Sequence, residues 1–285
     1  MKFSVIGGDL RLCSLAEMLA KDKNTVSVFA MENSKEIIEN KQINKCESIE
    51  EALDKSKIII ASIPFLNSNG EMYTSFSNVK IQLEDFTRKK HKEKIFIAGN
   101  ISNLAKEKLE RSYERVIDVM KQEELAILNT IATAEGAINV AIQNTDIIIH
   151  GSSVLILGFG RVAKEVATKF HGLSAKVTCA ARKLTDLAWI ETLGYEAVNI
   201  NELGEDLKKY DIIINTVPKM IIDKEEMQFM RQNVLLIDLA SSPGGINIED
   251  ARKMSLKFVW ALALPGKIAP VTSAKFIKDT IYNLI

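Results

Sequence analysis

The chain has 285 residues, 47% of them hydrophobic, and its 37 lysines and arginines balance its 37 aspartates and glutamates. This length suits two domains of ordinary size, and the hydrophobic share is enough to fill two cores. The lack of net charge argues against a nucleic-acid or membrane-surface partner, and no apolar run approaches the roughly 20 residues that cross a membrane.

Cysteine and histidine usage indicates a reducing compartment and no metal centre. The three cysteines are odd in number and far apart, at Cys13, Cys46 and Cys179. Such usage is typical of reduced thiols, so we expect a cytoplasmic protein. The three histidines are equally scattered, and no Cys, His or Asp spacing suggests a metal site. The one basic cluster, residues 88–92, lacks interleaved aromatics and is typical of a solvated helix end.

The first half of the chain alternates short β-rich runs with helical stretches, the pattern of βαβ units and a parallel sheet. The predicted strands are 3–6, 26–29, 58–62, 95–98 and 115–118, and the clearest helices are 12–21 and 103–111. Residues 123–142 contain one glycine and no proline and are rich in Ala, Ile, Leu and Glu. They predict a long helix that bridges two domains.

The second half repeats this alternation of strands and helices. Its predicted strands are 154–157, 176–180, 196–199, 212–215, 235–239 and 258–261. We therefore predict an α/β protein with two Rossmann-like domains, each with a parallel sheet, joined by the long bridging helix. The predicted boundaries are a first domain at 1–125, the bridging helix and linker at 126–150, and a second domain at 151–269. The amphipathic end, 270–285, is expected to pack back on the first domain.

A glycine turn joins a strand to a helix at the start of the second domain. Residues 158–163 read Gly-Phe-Gly-Arg-Val-Ala, which matches the GxGxxA fingerprint of dinucleotide-binding loops. The helix N-terminus offers N–H groups and a partial positive charge to phosphates. We expect a nicotinamide cofactor here, and the alternative is a glycine turn without a ligand. The expected contacts are Gly158, Phe159, Gly160, Arg161 and Val162.

The next strand is followed by Arg182 and Lys183, where an NAD site normally carries Asp or Glu for the ribose 2′-hydroxyl. A carboxylate would repel a 2′-phosphate, whereas a guanidinium can pair with it through two hydrogen bonds. NADP is therefore favoured over NAD. The alternative is that Arg182 is merely exposed.

Three later loops also follow strands, at the edge where open parallel sheets bind ligands. They are residues 215–218, 240–245 and 264–267. We expect the first two to border the nicotinamide, through Thr216, Val217, Pro218, Ala240 and Ser241. The Pro-Gly-Gly segment at 243–245 is equally consistent with a simple turn.

The first domain carries a second glycine loop, Gly7-Gly8-Asp9-Leu10-Arg11, without the full fingerprint. The glycine pair could bring backbone N–H groups close to an anion, and Arg11 could hold a carboxylate. The alternative is that Asp9 caps the helix and Arg11 is exposed. The loop at 99–103 also follows a strand and contains Asn100 and Ser102.

Three residues distinguish the bridging helix, namely Thr133, Glu135 and Gly136. A glycine within a helix costs about 1 kcal/mol relative to alanine, so it often marks the close approach of another group. Glu135 beside it could act as a general acid or base if partly buried. The alternative is a solvent-exposed helix glutamate.

Several stretches are long and uncommon outside one family. They are Val-Ile-Gly-Gly-Asp-Leu-Arg at 5–11, Thr-Ala-Glu-Gly-Ala at 133–137, Ala-Ile-Gln-Asn-Thr-Asp at 141–146, Ile-His-Gly-Ser at 149–152, Leu-Gly-Phe-Gly-Arg at 157–161, Ile-Asp-Leu-Ala-Ser-Ser-Pro-Gly-Gly at 237–245 and Leu-Pro-Gly-Lys-Ile-Ala-Pro at 264–270. With these motifs the chain resembles the family of dipicolinate synthase A subunits over essentially its whole length.

The resemblance implies oxidation of a cyclic dihydro- or 4-hydroxy-tetrahydro-dipicolinate to dipicolinate during sporulation, with hydride transfer to NADP. It implies a small dicarboxylate substrate that binds the first domain. It also implies a partner, the B subunit of dipicolinate synthase, which resembles a flavoprotein. A homo-oligomer is expected.

Such a reaction needs anion-binding groups and a proton acceptor. The residues expected to contact substrate are Gly8, Arg11, Asn100, Ser102, Thr133, Gly136, Gly245 and Lys267. Glu135 is the first candidate for the proton acceptor and Asp9 is the second.

Two other functions stay open. A 2-hydroxy-acid dehydrogenase shares the two-domain plan, but such enzymes use a histidine late in the cofactor domain, and no histidine follows His171. A non-catalytic protein that only binds a nucleotide is favoured by the lack of an obvious catalytic pair.

Overall fold

The computed structural model describes all residues from Met1 to Ile285, and the chain divides into two compact units. The first unit comprises Met1–Leu128 and Ala269–Ile285, and the second comprises Asn129–Ile268. Each unit contains one six-stranded sheet in which all the strand pairs are parallel. The prediction of an α/β protein with two Rossmann-like sheets is confirmed.

The sheet of the first unit has the strand order β3-β2-β1-β4-β5-β6. Its strands are β1 (Lys2–Ile6), β2 (Thr25–Phe29), β3 (Ile43–Lys45), β4 (Ile58–Ile60), β5 (His91–Ala98) and β6 (Tyr113–Asp118). The helices of this unit are α1 (Leu10–Lys21), α2 (Lys35–Glu39), α3 (Ile49–Lys55), α4 (Leu83–Thr87), α5 (Asn103–Ser112) and α12 (Pro270–Leu284).

The sheet of the second unit has the equivalent order, β12-β11-β10-β7-β8-β9. Its strands are β7 (Ser153–Leu157), β8 (Lys176–Ala181), β9 (Glu196–Asn199), β10 (Ile212–Asn215), β11 (Leu235–Asp238) and β12 (Lys257–Trp260). The helices are α6 (Glu123–Asn144), which begins in the first unit, α7 (Arg161–Gly172), α8 (Leu184–Thr192), α9 (Lys224–Met227), α10 (Ile248–Lys253) and α11 (Leu264–Ile268). Both orders are those of dinucleotide-binding folds.

Central strands are apolar on both faces because each sheet has a core on either side. In β4, Ile58 and Ile60 belong to one buried cluster and Ile59 to the other. In β10 the alternate isoleucines divide between two clusters in the same way. The edge strand β3 was not predicted, because its sequence, Ile-Asn-Lys, has one buried apolar residue and no β-rich run.

The C-terminal helix completes the core of the first unit. The side chains of Ala274, Ile277 and Ile281 on α12 are buried in the same cluster as the apolar face of α1. A polar contact supports this packing, since Lys278 pairs with Asp22 at 2.8 Å. Helix α12, which follows the second unit in the chain, therefore helps to stabilise the first unit.

Helix α6 is the one helix long and apolar enough to cross a membrane by length and composition. It also supplies Ala134, Ala137 and Ala141 to the core of the second unit. These small buried residues let α6 pack closely against the elements beside it.

His91 gives the first unit a pH-sensitive element at the start of β5. Its ring is buried and lies 5.3 Å from the ring of Tyr113. Burial and then the nearby charge of Lys94 lower the pKa of His91 below its ordinary value of 6.5. The unfolded chain therefore takes up a proton before the folded chain does. Stability is fully present above pH 6.5 and is lost as the pH falls through the lowered pKa.

We expect His91→Phe to remove this loss of stability at low pH while keeping the ring contact with Tyr113. Urea unfolding between about pH 7 and pH 5 should show a smaller decline in the free energy of unfolding for the variant than for the wild type. His171→Phe is the matched control because His171 is exposed on α7. Equal declines for the wild type and His91→Phe would contradict the role of His91.

Candidate functional site

The first residue of the loop after β7 has a backbone conformation and a crowded position that favour glycine. Gly158 has a φ of +99°, and its N–H donates to the Ala180 carbonyl at 2.8 Å. A Cβ at this position would lie 2.7 Å from Thr216 Oγ1 and 2.8 Å from Val217 Cγ2. Gly158 therefore permits both the turn and the close approach of the neighbouring loop.

Gly160 leaves the start of α7 open. It is the N-cap residue of α7, with a φ of −80°, and as a glycine it has no side chain to cap the first-turn N–H groups. A Cβ built on Gly160 would meet nothing within 4 Å. Ala163 is fully buried one turn later, which keeps the helix against the sheet. An uncapped helix N-terminus with open space before it fits the pyrophosphate of a dinucleotide.

A cleft of about 330 Å³ lies beside this loop. Its floor includes Gly158 and Phe159, one wall includes Arg182 and Lys183 after β8, and the other belongs to the loop after β10. The remaining lining residues are Ala181, Asp186, Ile200, Asn201, Val217, Pro218, Lys219 and Ile221. This volume is that of a small-molecule site.

A buried carboxylate organises the two loops that follow β10 and β11. Asp238 is 1% exposed, and its oxygens accept hydrogen bonds from Asn215 Nδ2 at 2.8 Å and from the N–H groups of Ala240, Gly245 and Ile246 at 2.9, 2.7 and 3.1 Å. Asp238 and Asn215 were not among the predicted site residues. The sequence feature that could have identified them is an aspartate at the end of an apolar strand, six residues before a glycine pair.

Asn215 extends this network to the predicted nicotinamide-side loop. Its side-chain amide donates to the Val217 carbonyl at 3.0 Å and accepts from the Val217 N–H at 3.1 Å. The neighbouring Thr216 hydroxyl donates to the Leu157 carbonyl at 2.7 Å. Gly245 is needed because a Cβ there would collide with Asn215 Nδ2. Ser241, by contrast, has an exposed side chain.

The residues singled out on α6 have partners within the second unit. A Cβ at Gly136 would meet Leu264 at 2.9 Å, so the group that approaches this glycine is the first residue of α11. The Thr133 hydroxyl donates to the Asn129 carbonyl at 2.8 Å. The Glu135 carboxylate is 55% exposed and pairs with Lys169 of α7 at 3.4 Å. This placement is that of an exposed helix glutamate. Lys267 on α11 is also exposed.

In the first unit, Asp9 and Arg11 form a close pair at the end of β1. The Asp9 carboxylate caps α1 by accepting from the Arg11 N–H at 3.0 Å. The Arg11 guanidinium donates to the same carboxylate at 2.8 and 3.0 Å and also to the Ile63 carbonyl. The Arg11 side chain is 12% exposed. Asp9 is thus a helix cap, as one alternative held, but Arg11 is not the exposed side chain that the alternative assumed.

The N–H groups of the first glycine pair already have partners in the protein. Gly7 donates to the Phe29 carbonyl at 2.9 Å and Gly8 to the Tyr73 carbonyl at 2.7 Å. A Cβ at Gly7 would collide with the segment that contains Tyr73. This pair makes room for the chain's own residues 73–75, so a direct contact between substrate and the Gly8 N–H would require that segment to move.

Asn100 and Ser102 lie in the loop after β5, whose backbone is held by the carboxylate of Asp118. Asp118 accepts hydrogen bonds from the N–H groups of Asn100, Ile101 and Met120 at 2.9, 3.0 and 3.1 Å. Asn100 adopts a φ of +54° with its side chain exposed, and Ser102 caps α5. The side chain of Ile63 contacts this loop at Gly99, and its carbonyl accepts from Arg11, so the start of α1 and the loops after β4 and β5 meet at Ile63.

The arrangement therefore has two parts, one in each unit. In the second unit, the loops after β7, β8, β10 and β11 surround an uncapped helix start and a basic cleft. In the first unit, the Asp9–Arg11 pair and the loop containing Asn100 lie at the carboxyl edge of the other sheet. The contacts described for Glu135, Thr133 and Gly136 are with α7, within α6 and with α11, respectively.

Two protein families match the chain, one within each unit. Residues 2–120 match the family described as the N-terminal domain of the dipicolinate synthase A subunit. Residues 133–246 match the family described as D-isomer specific 2-hydroxyacid dehydrogenase, NAD binding domain. The chain is 32% identical over 286 residues to the dipicolinate synthase A subunit of Bacillus subtilis, covering 100% of this chain and 96% of that protein. The chain belongs to the dipicolinate synthase A-subunit family.

Crystal structures of two members of this family share the fold. That of the dipicolinate synthase A subunit from Bacillus halodurans is 31% identical, with a TM-score of 0.89 and coverage of 99% of this chain and 97% of that one. That of its counterpart from Bacillus subtilis is 30% identical, with a TM-score of 0.86 and coverage of 100% and 95%. The predicted resemblance is confirmed. The protein carries a dehydrogenase-type domain for a nicotinamide dinucleotide, as expected of an oxidoreductase.

Proposed function

We propose that this member of the dipicolinate synthase A-subunit family oxidises a cyclic dihydrodipicolinate, or the 4-hydroxy-tetrahydro form after loss of water, to dipicolinate. The balanced step takes dihydrodipicolinate and NADP⁺ to dipicolinate, NADPH and a proton. The observation that carries the proposal is the open, uncapped start of α7 at Gly160 in a chain of this family. The bound nicotinamide would supply the hydride acceptor.

NADP is the proposed cofactor because the end of β8 carries Arg182 and Lys183 and no carboxylate. Both side chains are exposed and line the cleft beside the cofactor loop. The residues proposed to hold the dinucleotide are Gly158, Phe159, Gly160, Arg161, Val162, Arg182, Lys183, Thr216, Val217, Pro218, Ala240 and Ser241. NAD remains the competing cofactor, and parallel binding titrations separate the two.

Arg11 is the proposed partner of a substrate carboxylate. Asp9 holds its Nε and Nη2 atoms, and Ile63 also accepts from Nη2, so the remaining amino group, Nη1, is presented in a fixed orientation. Asn100 and Ser102 are exposed at the same edge of the sheet and can accept or donate further hydrogen bonds. Gly8, Thr133, Gly136, Gly245 and Lys267 complete the set proposed for substrate.

Asp9 and Glu135 are the two candidates for the proton acceptor, and their surroundings favour Asp9. Asp9 lies beside the guanidinium proposed for the substrate carboxylate and is 35% exposed. Glu135 is 55% exposed and paired with Lys169. A general base must lie within hydrogen-bond reach of the proton that it takes, and its contribution is about 10²–10⁴-fold.

We therefore expect Asp9→Asn to lower turnover by at least about 100-fold and Glu135→Gln to lower it by less than about threefold. Asparagine also caps helices well, so Asp9→Asn should keep the cap of α1, although it removes the ion pair with Arg11. Steady-state kinetics and cofactor titrations on both variants provide the check. A larger loss for Glu135→Gln would transfer the acid–base role to Glu135.

The direct test supplies the purified chain with the cyclic substrate and either NADP or NAD, and follows reduced cofactor by absorbance. Reduction of NADP with formation of dipicolinate supports the proposal. The same assay with the B subunit of dipicolinate synthase added tests the proposed partnership. Oxidation of a 2-hydroxy acid instead would favour a 2-hydroxy-acid dehydrogenase, and cofactor binding without turnover would favour a non-catalytic role.

The same proposal includes a cytoplasmic location, a role in sporulation and a homo-oligomeric state.

A further inference from the structure

Three cations without a carboxylate partner line a single cleft in the second unit. Arg182, Lys183 and Lys219 all belong to the cleft of about 330 Å³ beside the cofactor loop. None of the three side chains forms an ion pair, whereas Lys209 and Arg231 in the same unit pair with neighbouring acids. Unpaired positive charge gathered in a concave site is expected where the ligand supplies the negative charge.

Lys219 reaches the cleft from the side opposite to Arg182. The strands β8 and β10 flank β7 in the sheet, so the loops after them stand on either side of the Gly158 turn. Arg182 and Lys183 follow β8, and Lys219 follows β10. A ligand group lying over the Gly158 turn would therefore meet positive charge from two separate loops.

The backbone on both sides of Lys219 is held in place. Val217 exchanges two hydrogen bonds with the Asn215 side chain. The ring of Pro218 fixes the φ angle of Pro218 itself. The Ile221 N–H donates to the Gly245 carbonyl at 2.9 Å. Lys219 is thus an exposed cation on a short segment with fixed ends, so its ammonium group can be aimed at little entropic cost to the backbone.

We infer that Lys219 is a specificity-determining residue that binds the ribose 2′-phosphate of NADP together with Arg182. A phosphomonoester carries a charge of about −1.5 to −2 at neutral pH, which one guanidinium does not balance. Asp186 also lines the cleft, so a second cation is needed to offset its carboxylate. This inference rests on the proposed choice of NADP over NAD.

The test is calorimetric titration of the full chain with NADP, NAD, adenosine 2′,5′-bisphosphate and AMP. Lys219→Ala should weaken binding of NADP and the bisphosphate about five- to tenfold and leave NAD and AMP within about twofold. Lys219→Arg should retain most of the affinity. Lys176→Ala is the control, because Lys176 is an exposed lysine at the opposite end of β8 and its side chain has no ion pair.

Three outcomes would overturn the inference. If the wild type prefers NADP and Lys219→Ala keeps that preference, Lys219 does not read the 2′-phosphate, although the cofactor proposal stands. If Lys219→Ala weakens NADP and NAD equally, its contact is with another part of the ligand. If the wild type binds NAD as well as NADP, the cofactor proposal fails first and the role of Lys219 fails with it.

Discussion

Gly160→Asp should abolish dinucleotide binding without lowering the stability of the protein. Aspartate is a better helix N-cap than glycine by a few tenths of a kcal/mol, and its charge interacts favourably with the helix N-terminus by about 0.3–1 kcal/mol. The position accepts a side chain, since its φ is −80° and nothing lies within 4 Å of a Cβ. The new carboxylate would occupy the anion site and repel the pyrophosphate. We expect NADP and NAD affinity to fall more than about 100-fold.

The measurements are calorimetric titration with both cofactors and urea unfolding of the free protein. Gly172→Asp is the matched control, because Gly172 ends the same helix and also has open space around it. It adds the same charge at an unfavourable helix end, costing about 0.3–1 kcal/mol, and should leave cofactor affinity unchanged. Cofactor affinity for Gly160→Asp within about threefold of wild type would show that the phosphates do not bind at this loop.

Asp238→Ala should be the most destabilising single change considered for the second unit. It would leave the N–H groups of Ala240, Gly245 and Ile246 and the amide of Asn215 without their buried acceptor. Each unsatisfied buried donor costs about 1–3 kcal/mol, part of which water entering the site would recover. We expect the free energy of unfolding to fall by about 4 kcal/mol and cofactor affinity to fall about tenfold.

Asp118→Ala is the informative comparison for Asp238. Asp118 is also a buried carboxylate, and it accepts three backbone hydrogen bonds, but it lies in the first unit. Its loss should destabilise the protein without changing the affinity of the folded protein for the cofactor. Urea unfolding and titration of both variants make the comparison. Equal losses of cofactor affinity would mean that the Asp238 effect is general destabilisation and not the placement of the two loops.

The cofactor loop was predictable because its parts are contiguous in sequence. A strand, a glycine turn and the first turn of a helix lie within residues 153–163, and each follows from local backbone chemistry. The alternation of strands and helices is also local, so the two sheets were predicted well apart from β3. That short edge strand forms by pairing with β2 and has no apolar pattern of its own.

The glycine pair in the first unit illustrates what local patterns miss. In sequence, Gly7 and Gly8 resemble an anion-binding turn, yet their N–H groups donate to carbonyls of Phe29 and Tyr73. The latter lies in the long connection between β4 and α4, which has no periodic pattern to place it. Gly136 was rightly seen as a point of close approach, but only the fold reveals that Leu264 is the group that approaches.

By itself, the sequence determined the two parallel sheets, the dinucleotide loop and the positive charge after β8, because each depends on residues close together in the chain. Only the tertiary structure decided the hydrogen-bond network of Asp238, the pairing of Arg11 with Asp9 and Ile63, and the convergence of Lys219 with Arg182. Asn215 with Asp238, Arg11 with Ile63 and Lys219 with Arg182 each come from segments far apart in sequence. The physical reason is that parallel sheets bring the carboxyl ends of distant strands to one edge.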